Sequence, residues 1–447
     1  MNTSPAIVPI YLMHEPNQPI PLYSGPIEIT QHSITYSGKG TLQLQWFPYP
    51  GIGFNWHNDD ASPRDALRGL TISLPDLGAS ARGYPISVPY WEEGKVAGYL
   101  EEPIDLGEDR GLTEVVFHLV NFSDYINGGP VRRGPSHSWR GRLEFQGLEW
   151  QVTIDSVKDY YDLIKDTESK RGYAITHVGK LERIDHGTFT VTEANRVLED
   201  LFFFLSFLRG FWVAPMLPVG FNSHGEGVWQ SWGPQVMWHW QHVDCWFPSS
   251  RPDSVSTLFS GFLKWFRNPV WNEPIRLAIQ WFVECNLKPG GIFNTLWGAI
   301  VIEQVALEML SWVRFVESEP VYSRKDFHST KRFPAAEKIR LLLSRFNIPL
   351  AVPDELQSLV AQARANNWGT GPLALTMIRN RIVHSSPESR EQIRDLSNDS
   401  VLEAWKLGLW YIELLLLSLF EYQGVYHNRL RRDRNVRDVE PVPWTRL

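Results

Sequence analysis

Two cysteines in 447 residues, Cys245 and Cys285, leave no room for a disulfide framework. Both sit among apolar neighbours, which favours reduced thiols and a cytoplasmic protein. Long apolar runs are equally scarce. The greasiest stretch, residues 407–420, is about 14 residues long and carries Glu413, short of the ~20 residues that cross a bilayer, so it reads as a buried helix. The first 23 residues hold five prolines and lack a cationic start followed by an apolar run, so no targeting segment and no membrane association are predicted. Metal-ligand patterns are also thin. His239, His242 and Cys245 have ligand chemistry at tight spacing but no second half-site, and aromatic core packing is their ordinary reading. No metal and no cofactor are expected.

What is present is aromatic. Twenty tryptophans serve either dense cores or stacking faces, and core packing is the commoner use. Charge is uneven: residues 288–447 hold 21 Lys+Arg against 18 Asp+Glu, and the remainder holds 22 against 32. The C-terminal part is therefore the one suited to an anionic partner such as nucleic acid.

The length calls for more than one domain. Residues 1–190 alternate in the manner of strands, as at Thr41–Trp46 and Val115–Val120, with Gly, Pro, Asn and Asp between the runs. They predict a mainly-β domain, sandwich or barrel-like, interrupted by a helix at 158–168. Residues 191–253 begin with a helix at 193–209, with Thr192 as N-cap and Gly210 as its stop, and continue through a tryptophan-rich connection that extends the sheet. From 254 to 430 the period becomes helical, with helices at 255–267, 273–286, 293–316, 335–346, 354–366, 373–384 and 400–422. The last opens on Ser400 and Glu403, spaced as a capping box. It is apolar on every face, so it lies at the centre of a bundle or across a subunit interface, with Trp405, Leu409 and Trp410 as anchors. Residues 128–141 read as an exposed loop and 431–447 as a charged, fraying tail.

One constellation carries chemistry. Arg379, Asn380 and His384 stand at the end of a helix, where Asn380 and His384 share a face and Arg379 can reach round from one turn earlier. Guanidinium, amide and imidazole can then meet one phosphate, clamping it and exchanging a proton near neutral pH. The Arg-x4-His spacing also occurs at Arg132 and His137, but in the exposed loop and followed by Arg133 rather than an amide.

The Arg379-Asn380-x-x-x-His384 motif on a helix resembles the Arg-x4-6-His motif of HEPN domains, and the ending Glu421 to Arg429 after a long apolar helix resembles the ApeA-like abortive-infection branch of that family. The resemblance covers residues 255–430 and implies an all-α HEPN helical bundle that cleaves RNA, with tRNA as one candidate, without metal. The 2′-hydroxyl would attack the adjacent phosphate at an interface between two such domains. It also implies His384 as acid/base, Arg379 as phosphate clamp, Asn380 as orienting group, a homodimer or higher oligomer, and a β-rich sensor domain for a phage protein. Arg381, Arg429, Lys331 and Arg332 are the candidate RNA contacts. The alternative is a non-catalytic HEPN-type module that binds a nucleotide or protein, with a ligand-binding β domain.

Overall fold

The structure, a computed structural model, describes residues 4–445 apart from 59–68, 88–93, 110, 124, 126–127, 134–136, 252, 288–295, 385–386, 388–390, 392–395 and 432–437. After β1 (Ser4–Pro5), six strands close into a barrel: β2 (Ile20–Gln31), β3 (Ile34–Gln45), β4 (Gly51–His57), β5 (Leu70–Leu74), β6 (Ala79–Ser87) and β7 (Lys95–Leu100). Their order is β2-β3-β4-β7-β6-β5, and β5 returns to β2. Alternation turns Ile27, Ile29, Leu42, Leu44, Phe54 and Ile72 inward. The wall is tight at Gly98, where a Cβ would stand 2.1 Å from the Tyr84 carbonyl oxygen, so only glycine fits.

A nine-stranded sheet follows, built from β8 (Ile104–Gly107), β9 (Glu114–Val120), β10 (Gly129–Arg133), β11 (His137–Gly147), β12 (Trp150–Ser156), β13 (Ile175–Arg183), β14 (Met216–Phe221) and β15 (Gly227–Trp232) together with β1. Its order is β1-β10-β11-β12-β13-β9-β14-β15-β8, antiparallel except where β1 meets β10. The β14–β15 hairpin thus extends the sheet as its sequence predicts. Residues 128–141, expected as a loop, instead supply the paired edge of β10 and β11; residues 134–136 of that expectation lie outside the described residues. Their Gly and Pro content marks an edge hairpin with a bulge, which the same composition allows.

Helix α1 (Tyr160–Lys170) lies between β12 and β13, and α2 (Val191–Arg209) follows β13. The N-cap of α2 is Thr190, not Thr192: its hydroxyl accepts from the Glu193 N–H while the Glu193 carboxylate accepts from the Thr190 N–H, a complete capping box. Gly210 ends the helix in the left-handed region. Phe145 on the sheet meets Phe204 of α2 and Phe259 of the first bundle helix, so one sheet face and the bundle share a core.

The mainly helical C-terminal domain comprises α3 (Asp253–Phe266), α4 (Asn272–Asn286), α5 (Leu296–Trp312), α6 (Arg324–His328), α7 (Ala335–Arg345), α8 (Gln357–Ala365), α9 (Gly371–Val383) and α10 (Asn398–Leu419). All seven expected helices are present; α6, a single turn, is additional. A π-helical segment, Val313–Ser318, prolongs α5. By length and composition alone this joint helix could cross a membrane, yet it packs against α4, α7, α9 and α10 as a bundle helix. Helix α10 runs through the middle. Trp405 and Leu409 are fully buried and Trp410 is nearly so, enclosed by α3, α4, α5, α8 and α9, so the three expected interface anchors are core residues of one chain. The N-cap of α10 is Ser397, whose hydroxyl accepts from the Ser400 N–H, and Glu403 instead accepts the N–H of Leu359 in α8. The described part of the tail is held in place: β17 (Glu440–Pro441) pairs with β16 (Val425–Tyr426), Val442 is buried and Trp444 Nε1 donates to the Tyr422 carbonyl. Burying Val442 and Trp444 outweighs the charge that the composition stresses.

Candidate functional site

Helix α9 opens on Thr370, whose hydroxyl accepts from the Leu373 N–H, with Pro372 in the first turn where no amide hydrogen is needed. One face, with Ala374, Leu375 and Ile378, is buried against the bundle. The last turn faces outward and carries the motif. The helix ends at Val383, so His384 has extended backbone and caps the helix; its N–H donates to the Asn380 carbonyl at 3.1 Å. His384 therefore remains one turn above Asn380, but as an exposed cap residue rather than a helical one.

Arg379 is half-buried, and its Nη1 donates to Asn380 Oδ1 at 3.2 Å, while its Nε is buried without a hydrogen-bond partner. Arg381 is fixed from the other side: Nη2 donates to Asn366 Oδ1 at 2.9 Å and the guanidinium lies 4.9 Å from the Trp368 ring centroid. One helix end thus holds two guanidinium groups, an amide and an exposed imidazole, where the helix dipole also favours positive charge. Phosphate binding by paired Arg and proton transfer by His are the chemistry such a set can perform. Asn366 and Trp368, which orient Arg381, carry no signal in the motif; their part comes from the turn between α8 and α9.

The remaining expected RNA contacts divide. Lys331 and Arg332 are exposed ahead of α7, Arg332 paired with Asp326. Arg429 is not at the surface. It is 1% exposed, its Nε and Nη2 lie 2.7 and 2.5 Å from the Glu413 carboxylate oxygens, and it also donates to Asn286 Oδ1 and the Asp244 carbonyl. Its role is to tie α10 to α4 and to the segment leaving the sheet. Of the arginines in the charged tail that follows, Arg431 is exposed and paired with Glu440, whereas Arg432, Arg434 and Arg437 lie outside the described residues.

His239, His242 and Cys245 do not converge: His242 pairs with Glu168 on α1, Cys245 Sγ lies 3.9 Å from the Phe247 carbonyl, and His239 is held below the usual imidazole range by burial and by Arg171. Among the described residues no cluster of three or more His, Cys, Asp or Glu could hold a metal ion. Glu303, to which the sequence assigns nothing, is wholly buried in α5 with both carboxylate oxygens unpartnered; burial pushes its pKa well above the usual range, partly opposed by Arg429. A Cβ on Gly408 of α10 would stand 2.0 Å from Glu303 Oε2, so that glycine makes the space for it.

Residues 107–243 match the YopA central domain and residues 268–440 the YopA C-terminal domain. The chain is 27% identical over 456 residues to the SPbeta prophage-derived uncharacterized protein YopA of Bacillus subtilis (strain 168), and the alignment covers 97% of each. No solved structure matches it. The first matched segment contains most of the nine-stranded sheet with α1 and α2, and the second contains α4 to α10 with the Arg379–His384 helix. In its central and C-terminal domains the chain belongs to the YopA family.

Proposed function

We propose that the protein is a metal-independent endoribonuclease of the HEPN type, with its site at the exposed end of α9. The observation that carries this reading is the arrangement there: Arg379 is coupled to Asn380, Arg381 is held by Asn366 and Trp368, and His384 stands exposed at the cap. In this reading Arg379 clamps the scissile phosphate, Asn380 orients that guanidinium, and Arg381 with Lys331 and Arg332 follows the RNA backbone. The ribose 2′-oxygen attacks phosphorus as its proton leaves to a base, the bond to the 5′-oxygen breaks, and an acid returns a proton to that oxygen. His384 serves one of these transfers. A second copy of the chain would supply the other imidazole, so the working unit is a homodimer acting on RNA, with tRNA as one candidate.

The Bacillus relative is named as prophage-derived. A toxic ribonuclease in such a setting fits an abortive-infection effector, released when the β-rich half meets a phage protein. The test is incubation of purified protein with total RNA in EDTA, followed by mapping of the cut ends. Cleavage that persists and leaves 2′,3′-cyclic phosphate or its 3′-phosphate product is expected, and a strict requirement for Mg²⁺ would overturn the reading.

A further inference from the structure

Far along the chain from α9, residues 6–16 cross the outer face of the nine-stranded sheet as a strap. The Ile7 N–H donates to Asp155 Oδ2 at 2.9 Å, and the N–H groups of Ile10 and Tyr11 both donate to His118 Nε2, at 3.2 and 3.1 Å. The Tyr11 hydroxyl donates to Gln230 and accepts from Trp232 Nε1, which anchors the far side of the strap on β15. Between the strap, the end of β12 and helix α1 lies a cavity of about 570 Å³. That volume falls in the range of pockets that enclose small organic ligands.

The lining has two characters. Ile7, Leu12, Val157, Leu163 and Val178 make it largely apolar. Asp162 and Asp166, four residues apart, bring carboxylates from one side of α1, and Asp159, the residue before the helix, adds a third. The carboxylate at the back, Asp155, is neutralised by the bidentate Arg142, with both oxygens at 2.7 Å from the guanidinium. Asp159 and Asp166 are paired with exposed lysines: Lys170 reaches Asp166 at 2.9 Å and Lys158, which also lines the cavity, lies 3.9 Å from Asp159, and all four side chains are more than 40% exposed. Such pairs contribute little and yield readily to a better-placed cation.

We infer that this cavity binds an organic cation with an aliphatic body, the body lying against the apolar lining and the ammonium or guanidinium meeting the α1 carboxylates. The same chemistry is offered by a free alkylamine and by a Lys or Arg side chain in an apolar peptide. This site is independent of the nuclease reading and gives the β-rich half a ligand class of its own.

Calorimetric titration of the full chain with n-octylamine, n-octanol, octanoate and the peptide acetyl-Leu-Lys-Leu-amide tests it. Binding of the amine or the peptide at least about tenfold tighter than of octanol and octanoate is expected, with the tighter of the two cations identifying the source. Asp162→Asn/Asp166→Asn, on an exposed helix face, should erase that preference while leaving the melting temperature within a few degrees. Equal binding of octanol and octylamine, an unchanged preference in the double variant, or no binding of either cation would overturn the inference. None of these outcomes depends on RNA cleavage.

Discussion

Taking a guanidinium out of water costs several kcal/mol unless a carboxylate and further acceptors replace its hydration. Arg429 has both, in Glu413, Asn286 and the Asp244 carbonyl. Burial disfavours its charge, but Glu413 and the nearby Asp244 and Glu303 together hold the Arg429 pKa above the ordinary guanidinium range. Arg429→Met should therefore destabilise the protein by about 3–5 kcal/mol by stranding Glu413, and adding Glu413→Leu should recover much of the loss. Urea unfolding of the two variants reads this directly; equal losses would mean that the pair is not coupled. The motif residues at the end of α9 should behave in the opposite way. His384→Ala and Arg379→Ala should each lower RNA cleavage by about 10²-fold or more with melting temperature little changed, while Arg132→Ala on the edge hairpin should leave cleavage intact. Losses of the same size at Arg132 would show that the wrong Arg-x4-His pair had been chosen. In sequence, Arg379 and Arg429 both look like surface cations near a helix end. What separates them is a carboxylate 16 residues before Arg429, on the far side of a turn, and local spacing carries no record of it.

At the scale of elements, periodicity is informative and boundaries are not. The helical period locates every long helix of the bundle because apolar residues must repeat with the turn to meet a core. Caps are decided by geometry that competing side chains share. Thr190 and Thr192 both lie at the start of α2, Thr192 already inside it, but only Thr190 stands three residues before Glu193 and can form the reciprocal pair. Ser400 and Glu403 have the same spacing, yet Glu403 is drawn away to the Leu359 N–H at the start of α8, and Ser397 caps instead. Helix α10 poses the complementary ambiguity, since an all-apolar surface fits a bundle centre as well as an interface. Its enclosure by five helices predicts that Trp405→Ala costs about 3–5 kcal/mol, because the indole is fully buried and its N–H bond to the Cys285 carbonyl at 2.8 Å is lost as well. Urea denaturation measures the cost. Sedimentation should show that a folded Trp405→Phe variant keeps the oligomeric state of the parent; dissociation of the variant would return Trp405 to an interface.

For the whole molecule, the β-to-helical division is legible in the sequence, but the split of the β region into a closed barrel and an open sheet is not. Alternation is the same in both, and closure depends on β5 pairing with β2 across more than forty residues. Nor does the sequence show that the sheet and bundle share one core while the barrel has another. Within that shared fold, buried ionisable groups set opposing pH dependences. Burial pushes His118 down to about 4 and His177 down to about 3, and His118 must stay neutral to accept the two strap N–H groups. Between pH 6.5 and those values the unfolded chain binds protons that the fold excludes, so stability falls as pH drops through this window. The contribution is about 3 kcal/mol for His118. Glu303 acts in the other direction: its raised pKa keeps a proton in the fold that the unfolded chain releases above the ordinary carboxylate range, so stability falls as pH rises. Glu303→Gln should therefore stabilise the protein at pH 8, with an advantage that shrinks toward pH 5. His118→Gln should instead flatten the loss of stability between pH 6.5 and 4. Urea midpoints of parent and variants across pH 4–8 separate the two contributions. A Glu303→Gln advantage that is constant with pH, or that grows toward acid, would mean that Glu303 is ionised in the fold and that its unpartnered oxygens are satisfied by water.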